Sequence, residues 1–71
     1  MAAWSKSVFS SMVSSISYDP DTQDMIVQWT KGGSGVYSGV PEDAADELTR
    51  SASVGAVINS EFRGVYPYRK L

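Results

Sequence analysis

Residues 25–31 read Met-Ile-Val-Gln-Trp-Thr-Lys, and turn-forming residues stand on both sides. No other stretch restricts the fold as strongly. Side chains alternate across a strand, so Met25, Val27 and Trp29 share one face and Ile26, Gln28 and Thr30 the other. Met25, Val27 and Trp29 are the first group expected in the core. Upstream, Asp19-Pro20-Asp21-Thr22-Gln23-Asp24 is a turn: proline presets φ, and aspartate hydrogen-bonds its own backbone. The run before it, Val13 to Tyr18, is rich in β-branched and aromatic residues and has no breaker, which suits an antiparallel partner strand. Downstream, Gly32-Gly33-Ser34-Gly35 permits the positive φ of a tight hairpin, and Val36-Tyr37-Ser38 follows as a short third strand.

The second half changes period. Gly39-Val40-Pro41 opens a helix, with Glu42 and Asp43 placed to complement the positive end of its dipole. Ala44, Leu48 and Ala52 stripe one side, and Asp46, Glu47 and Arg50 lie on a solvated face. Ser53 suits the N-cap of a second helix over 54–63, whose Val54, Ile58 and Phe62 recur every four residues. Gly64 fits the position after its end, and Pro67 prevents continuation. The expected class is α+β: a three-stranded antiparallel sheet followed by two short helices, in the order β-β-β-α-α. Residues 1–12, rich in serine and alanine, are expected to be a flexible arm ahead of a domain spanning 13–71.

Seventy-one residues allow one small core, and small cores usually need a staple. The chain has no cysteine and no histidine, which removes disulfides and the two best zinc ligands and leaves homo-oligomerisation as the expected staple. A hydrolytic triad lacks its usual base, so catalysis is not expected. Asp19, Asp21 and Asp24 resemble the opening of a calcium loop, but its glycine and terminal glutamate are missing, so no metal or cofactor is expected. No run reaches the roughly 20 apolar residues of a membrane span, and the N-terminus lacks a leader pattern. A cytoplasmic protein of a bacterium or of a phage-infected cell is the expectation.

Binding remains. The net charge is −2, which disfavours generic contact with a nucleic-acid backbone. Yet the last ten residues, Phe62-Arg63-Gly64-Val65-Tyr66-Pro67-Tyr68-Arg69-Lys70-Leu71, hold three of the six basic residues and two of the four tyrosines. Arginine offers a planar fork to phosphate, and tyrosine offers a stacking face to a base. Ser53, Gly55 and Asn59 lie on the preceding break and helix. The candidate ligand residues are therefore Ser53, Gly55, Asn59, Arg63, Tyr66, Tyr68 and Arg69. A purely structural reading stands beside this one: one tyrosine packs under the sheet, Ser53 caps a helix, and Arg69-Lys70 is solvated.

Four patches resemble the KTSC domain, a small module named for its place at the C-terminus of some lysyl-tRNA synthetases. They are Ser10-Ser11 with Val13, Ile16, Tyr18 and Asp19; Met25, Val27 and Trp29; Tyr37-Ser38-Gly39-Val40-Pro41; and Ser53, Gly55, Asn59, Arg63-Gly64 with Tyr66-Pro67-Tyr68-Arg69. The likeness runs from about Ser10 to Leu71. Two departures stand out: Gly35 and the pair Val57-Ile58 occupy positions where the family usually carries aromatics. The resemblance implies a β-β-β-α-α unit, no catalysis, and RNA binding by association with the synthetase. The combined expectation is a non-catalytic module for a nucleotide, a nucleotide signal or single-stranded RNA, including a phage protein that sequesters a host immune nucleotide. The alternative is a module that binds and inhibits a host protein, through exposed Trp4, Phe9, Trp29 or the tyrosines.

Overall fold

The computed structural model describes residues 3–8 and 10–71. Its elements are β1 (Trp4–Ser7), β2 (Val13–Asp19), β3 (Asp24–Trp29), β4 (Ser34–Tyr37), α1 (Glu42–Thr49), α2 (Val54–Val57), a π-wound segment (Ile58–Phe62) and β5 (Tyr68–Lys70). The class is α+β, but the three-stranded sheet is corrected to five antiparallel strands in the order β1-β2-β3-β4-β5. Both additional strands are edges whose own sequences carry little strand signal. Residues 4–7, expected in the arm, pair with β2 because Trp4 lies on Tyr18 (ring centroids 5.6 Å apart) and its indole donates to Glu42 at 3.2 Å. Lys6 adds an ion pair to Asp46 of α1 at 3.2 Å. Residues 68–70, where no strand is expected, pair with β4.

Turn chemistry sets the central hairpin. The Asp19 carboxylate accepts from the Asp21 amide at 2.9 Å, and Gln23 takes a positive φ of 59° before β3 begins. At the other end the Trp29 amide donates to the Gly33 carbonyl, with Gly32 and Gly33 at φ 100° and 83°, a region closed to most side chains. In β2, Val13 and Ile16 are three residues apart and could not share one face of a regular strand. A bulge resolves this. The register shifts between Val13 and Ser15, Ser14 is the extra residue, and both Val13 and Ile16 become fully buried.

One sheet face is covered. Ile16, Tyr18, Met25, Val27 and Tyr37 meet Ala45 and Leu48 of α1, Val54 of α2, and Ile58 and Phe62 of the π-wound segment. α1 begins after Pro41 and stops at Thr49, so Ala52 lies beyond it, exposed, and is not part of the expected stripe. The expected helix over 54–63 is helical over 54–62, but only its first turn is α. From Ile58 it widens, and the Arg63 amide reaches back five residues to the Ile58 carbonyl at 2.8 Å. Ser53 occupies the N-cap position without a side-chain capping bond.

Two contacts join the layers. The buried Tyr18 hydroxyl donates to the Val40 carbonyl at 2.6 Å, and the Val40 amide donates to the Gln23 carbonyl at 3.0 Å, so the strand-to-helix corner is tied to the β2–β3 turn. At the opposite edge, the Tyr68 ring lies across Gly35. A Cβ on Gly35 would overlap the hydroxyl end of that side chain. Tyr68 also meets Tyr37, its partner across the strands, with centroids 4.8 Å apart.

Tyr18→Phe keeps the ring but leaves the Val40 carbonyl unpaired in the core. It is expected to cost about 1–3 kcal/mol, read as a lower urea midpoint at constant slope. Burial, reinforced by the charges of Glu42 and Asp19, raises the Tyr18 pKa above its ordinary value. The folded chain therefore holds a phenolic proton that the unfolded chain releases near pH 10, so stability is full below pH 10 and falls as pH rises beyond it. A chemical-denaturation series across that range should show the loss, and it should be smaller in Tyr18→Phe. Gly35→Ala must displace the Tyr68 ring. The expected cost is about 1–3 kcal/mol with β5 loosened, and an unchanged urea midpoint would disprove the seat.

Candidate functional site

The helical layer does not reach one end of the sheet, and a groove lies there. Its floor is Tyr37, Trp29 and Tyr68, and its far wall is the helical segment with Gly55, Ile58, Asn59 and Arg63. This part holds about 260 Å³. It continues past Trp29 and Tyr68 into a wider trough of about 470 Å³ edged by Thr30, Lys31 and Lys70. Met12 borders both parts.

Local structure places each of these residues. Met12 is held by a turn in which the Ser10 hydroxyl accepts from the amides of Met12 and Val13 at 3.1 and 3.3 Å. The Met12 carbonyl and the Ser11 carbonyl receive the Thr30 amide and hydroxyl, both at 2.9 Å, which fastens this turn to the end of β3. Gly55 leaves room for the Met12 thioether: a Cβ there would stand 3.1 Å from its sulfur. Trp29 is the last core-facing residue of β3. Its indole N–H donates to the Tyr68 hydroxyl oxygen at 3.2 Å, which joins two aromatic side chains 39 residues apart. Arg63 leaves the π-wound segment with extended backbone, and its guanidinium donates to the Asn59 side-chain oxygen at 3.3 Å.

Charge is sorted around this groove. Of the six basic residues, Lys6 and Arg50 are paired with Asp46, Arg50 at 2.9 Å. Among the described residues, Lys31, Arg63, Arg69 and Lys70 form no ion pair. Three of these four line the groove, and no carboxylate does. The acidic residues stand elsewhere: Asp19, Asp21 and Asp24 at the β2–β3 turn, and Glu42, Asp43, Asp46 and Glu47 on α1 with Glu61 beside it. Burial raises the Tyr37 pKa above its ordinary value, the neighbouring Tyr68 adds to this, and the Arg63 guanidinium pulls the other way. Arg63 is thus close enough to be felt at the groove floor. No group of three or more acidic residues among those described could hold a metal ion, and no helix among them is long and apolar enough to cross a membrane.

Four of the seven residues singled out from the sequence meet here: Gly55, Asn59, Arg63 and Tyr68. Ser53 lies on an adjoining shelf with Ser10, Ser11 and Met12. Tyr66 turns to the other side of the helical segment, where it packs on Phe62 at 5.2 Å between centroids and lines a crevice against α1 with Glu47 and Glu61. Arg69 pairs with Val36, which with Ile26 and Ser17 lies on the sheet face opposite the helices, so alternation carries it away from Tyr68. Sequence reasoning missed Met12, Lys31 and Lys70 as groove residues; Trp29, expected in the core and named as exposed in the interaction alternative, is partly buried, packs against the core and also lines the groove. One available signal was the end position of Trp29 in its strand, directly before Thr30-Lys31 and the glycine turn. Phe9, named in the interaction alternative, lies outside the described residues, and Trp4 is half-buried against Tyr18.

No curated protein matches the chain. A solved structure does: the crystal structure of a KTSC domain protein from Yersinia pestis, which is 33% identical, covers 99% of each chain and superposes with a TM-score of 0.89. That degree of coverage extends the likeness to both edge strands. The KTSC domain family model matches residues 9–66, which takes in β2 through Tyr66 and most of the groove. The chain belongs to the KTSC domain family.

Proposed function

We propose that the groove binds a phosphate-bearing nucleotide ligand, either a small nucleotide or a short single-stranded RNA segment. The observation that carries this reading is a carboxylate-free groove with two joined aromatic rings and three unpaired cations, in a chain whose net charge is −2. A base stacks on Trp29 or Tyr68, a contact worth about 1–3 kcal/mol and tolerant of base identity. Phosphates sit at Arg63 on one side and at Lys31 and Lys70 on the other. Arg63 is suited to this because Asn59 restrains the guanidinium while most of its donors stay free. The acidic α1 and β2–β3 turn repel a long backbone and limit the contact to a few nucleotides.

The two tryptophans make the test direct. Trp4 is half-buried under α1, so Trp4→Phe leaves Trp29 as the only indole reporter, at the groove. Titration with single-stranded RNA pentamers and with a mononucleotide and dinucleotide panel should quench it. Arg63→Ala should weaken binding about tenfold or more, the value of one charged hydrogen bond, without lowering the melting temperature. With three phosphates neutralised, log K should fall against log salt with a slope of about −2. Absence of quenching with every nucleotide ligand, together with capture of a host protein whose binding is lost in Trp29→Ala, would replace this reading with a protein-interaction surface.

A further inference from the structure

The aromatic pair of the groove stands between two sets of cations. Met12, Trp29 and Tyr68 border both parts of the groove. Arg63 borders the smaller part alone, and Lys31 and Lys70 border the wider one alone. The pair is held in place: the Trp29 indole donates to the Tyr68 oxygen at 3.2 Å, and the Tyr68 ring rests on Tyr37 with centroids 4.8 Å apart. Arg63 is steadied by Asn59 at 3.3 Å. Lys31 and Lys70 are exposed, and their flexible stems let the ammonium groups follow a phosphate. Among the described residues none of the three cations is in an ion pair, and no carboxylate lines either part. A base seated on the pair therefore has positive charge on both flanks. A 5′-mono-, di- or triphosphate carries all its phosphates on one side of the nucleoside and meets one flank. A nucleotide with phosphate on both its 3′ and its 5′ oxygen meets both.

Resting on the nucleotide-binding reading, we propose that the groove selects a nucleotide phosphorylated on both its 3′ and 5′ oxygens over one whose phosphates form a single chain. An internal residue of a strand and a free nucleoside 3′,5′-bisphosphate share this chemistry. The base lies on Trp29 or Tyr68, one phosphate meets the Arg63 guanidinium, and the other meets Lys31 and Lys70. A phosphate gains most from a cation that it touches, because water and salt weaken the pull of more distant ones. The preference thus follows where the phosphates are attached and not how many there are. That separates it from the general attraction of basic side chains for anions, which grows with phosphate charge.

The test compares adenosine 3′,5′-bisphosphate with adenosine triphosphate, by Trp29 quenching in Trp4→Phe protein, in one buffer without divalent cations. Base and sugar are the same, and the triphosphate has one phosphate more, so phosphate number alone does not favour the bisphosphate. The bisphosphate is expected to bind about tenfold more tightly, the value of one further charged hydrogen bond. Arg63→Ala removes one flank, and Lys31→Ala combined with Lys70→Ala removes the other. All three positions are exposed, and folding is checked by circular dichroism. Each flank variant is expected to weaken the bisphosphate about tenfold, whereas the triphosphate responds to one of them. An adenosine pentamer bound more tightly than the bisphosphate identifies a strand as the source of the two phosphates. Equal affinity identifies the free nucleotide, and either result upholds the two-sided seat. Triphosphate bound as tightly as the bisphosphate overturns that seat and leaves nucleotide binding intact. So does bisphosphate binding that only one flank variant weakens. Failure of every ligand to bind removes the site reading itself, and the two-sided seat with it.

Discussion

Two helical segments, one of eight residues and one of four plus five, have to cover a five-stranded sheet. At about 1.5 Å per residue each is roughly 12–14 Å long, while five strands at about 4.8 Å spacing are roughly 19 Å across. The cover is incomplete, and where it ends is decided at the Val40 corner. The Tyr18–Val40 and Val40–Gln23 hydrogen bonds hold the start of α1 at the β2–β3 turn, so the helices fill in from that end. The opposite end, where β3 finishes at Trp29, stays open. The groove is thus the part of the sheet that this short chain cannot roof.

The same geometry sorts charge. α1 carries four carboxylates, and the β2–β3 turn carries three more, all toward the roofed part of the sheet. Cations on the hairpin turn and in β5 gather at the open end, joined by Arg63. A net charge of −2 describes neither region. An argument from whole-chain charge against anionic ligands therefore holds for the surface at large and fails at the groove.

Parts of the fold were legible because their signals are local. The alternation of Met25, Val27 and Trp29, the turns beside them, and the spacing of Val54, Ile58 and Phe62 each predict an element that forms. The edge strands were not legible. Trp-Ser-Lys-Ser and Tyr-Arg-Lys are short and polar, and they become strands only because a neighbouring strand offers unpaired backbone and because Trp4 and Tyr68 find seats on Tyr18 and Gly35. The bulge at Ser14 is signalled by the odd spacing of Val13 and Ile16. In the C-terminal patch, Gly55, Asn59, Arg63 and Tyr68 converge. Tyr66 and Arg69 separate from them because the winding of the helical segment and the alternation of β5 decide sides, and neither phase can be set without the partners.

The sequence by itself determined the central hairpin, the switch from strand to helix at Pro41, the lack of thiol and imidazole chemistry, and the family. These depend on residue type, turn propensity and short-range periodicity. Only the tertiary structure decided that the sheet has five strands, that Tyr68 fills the space left by Gly35, and that Met12, Trp29, Lys31 and Lys70 join Arg63 around one groove. Those outcomes depend on contacts between residues tens of positions apart, such as Trp29 with Tyr68, whose pairing follows from sheet register and not from any local preference.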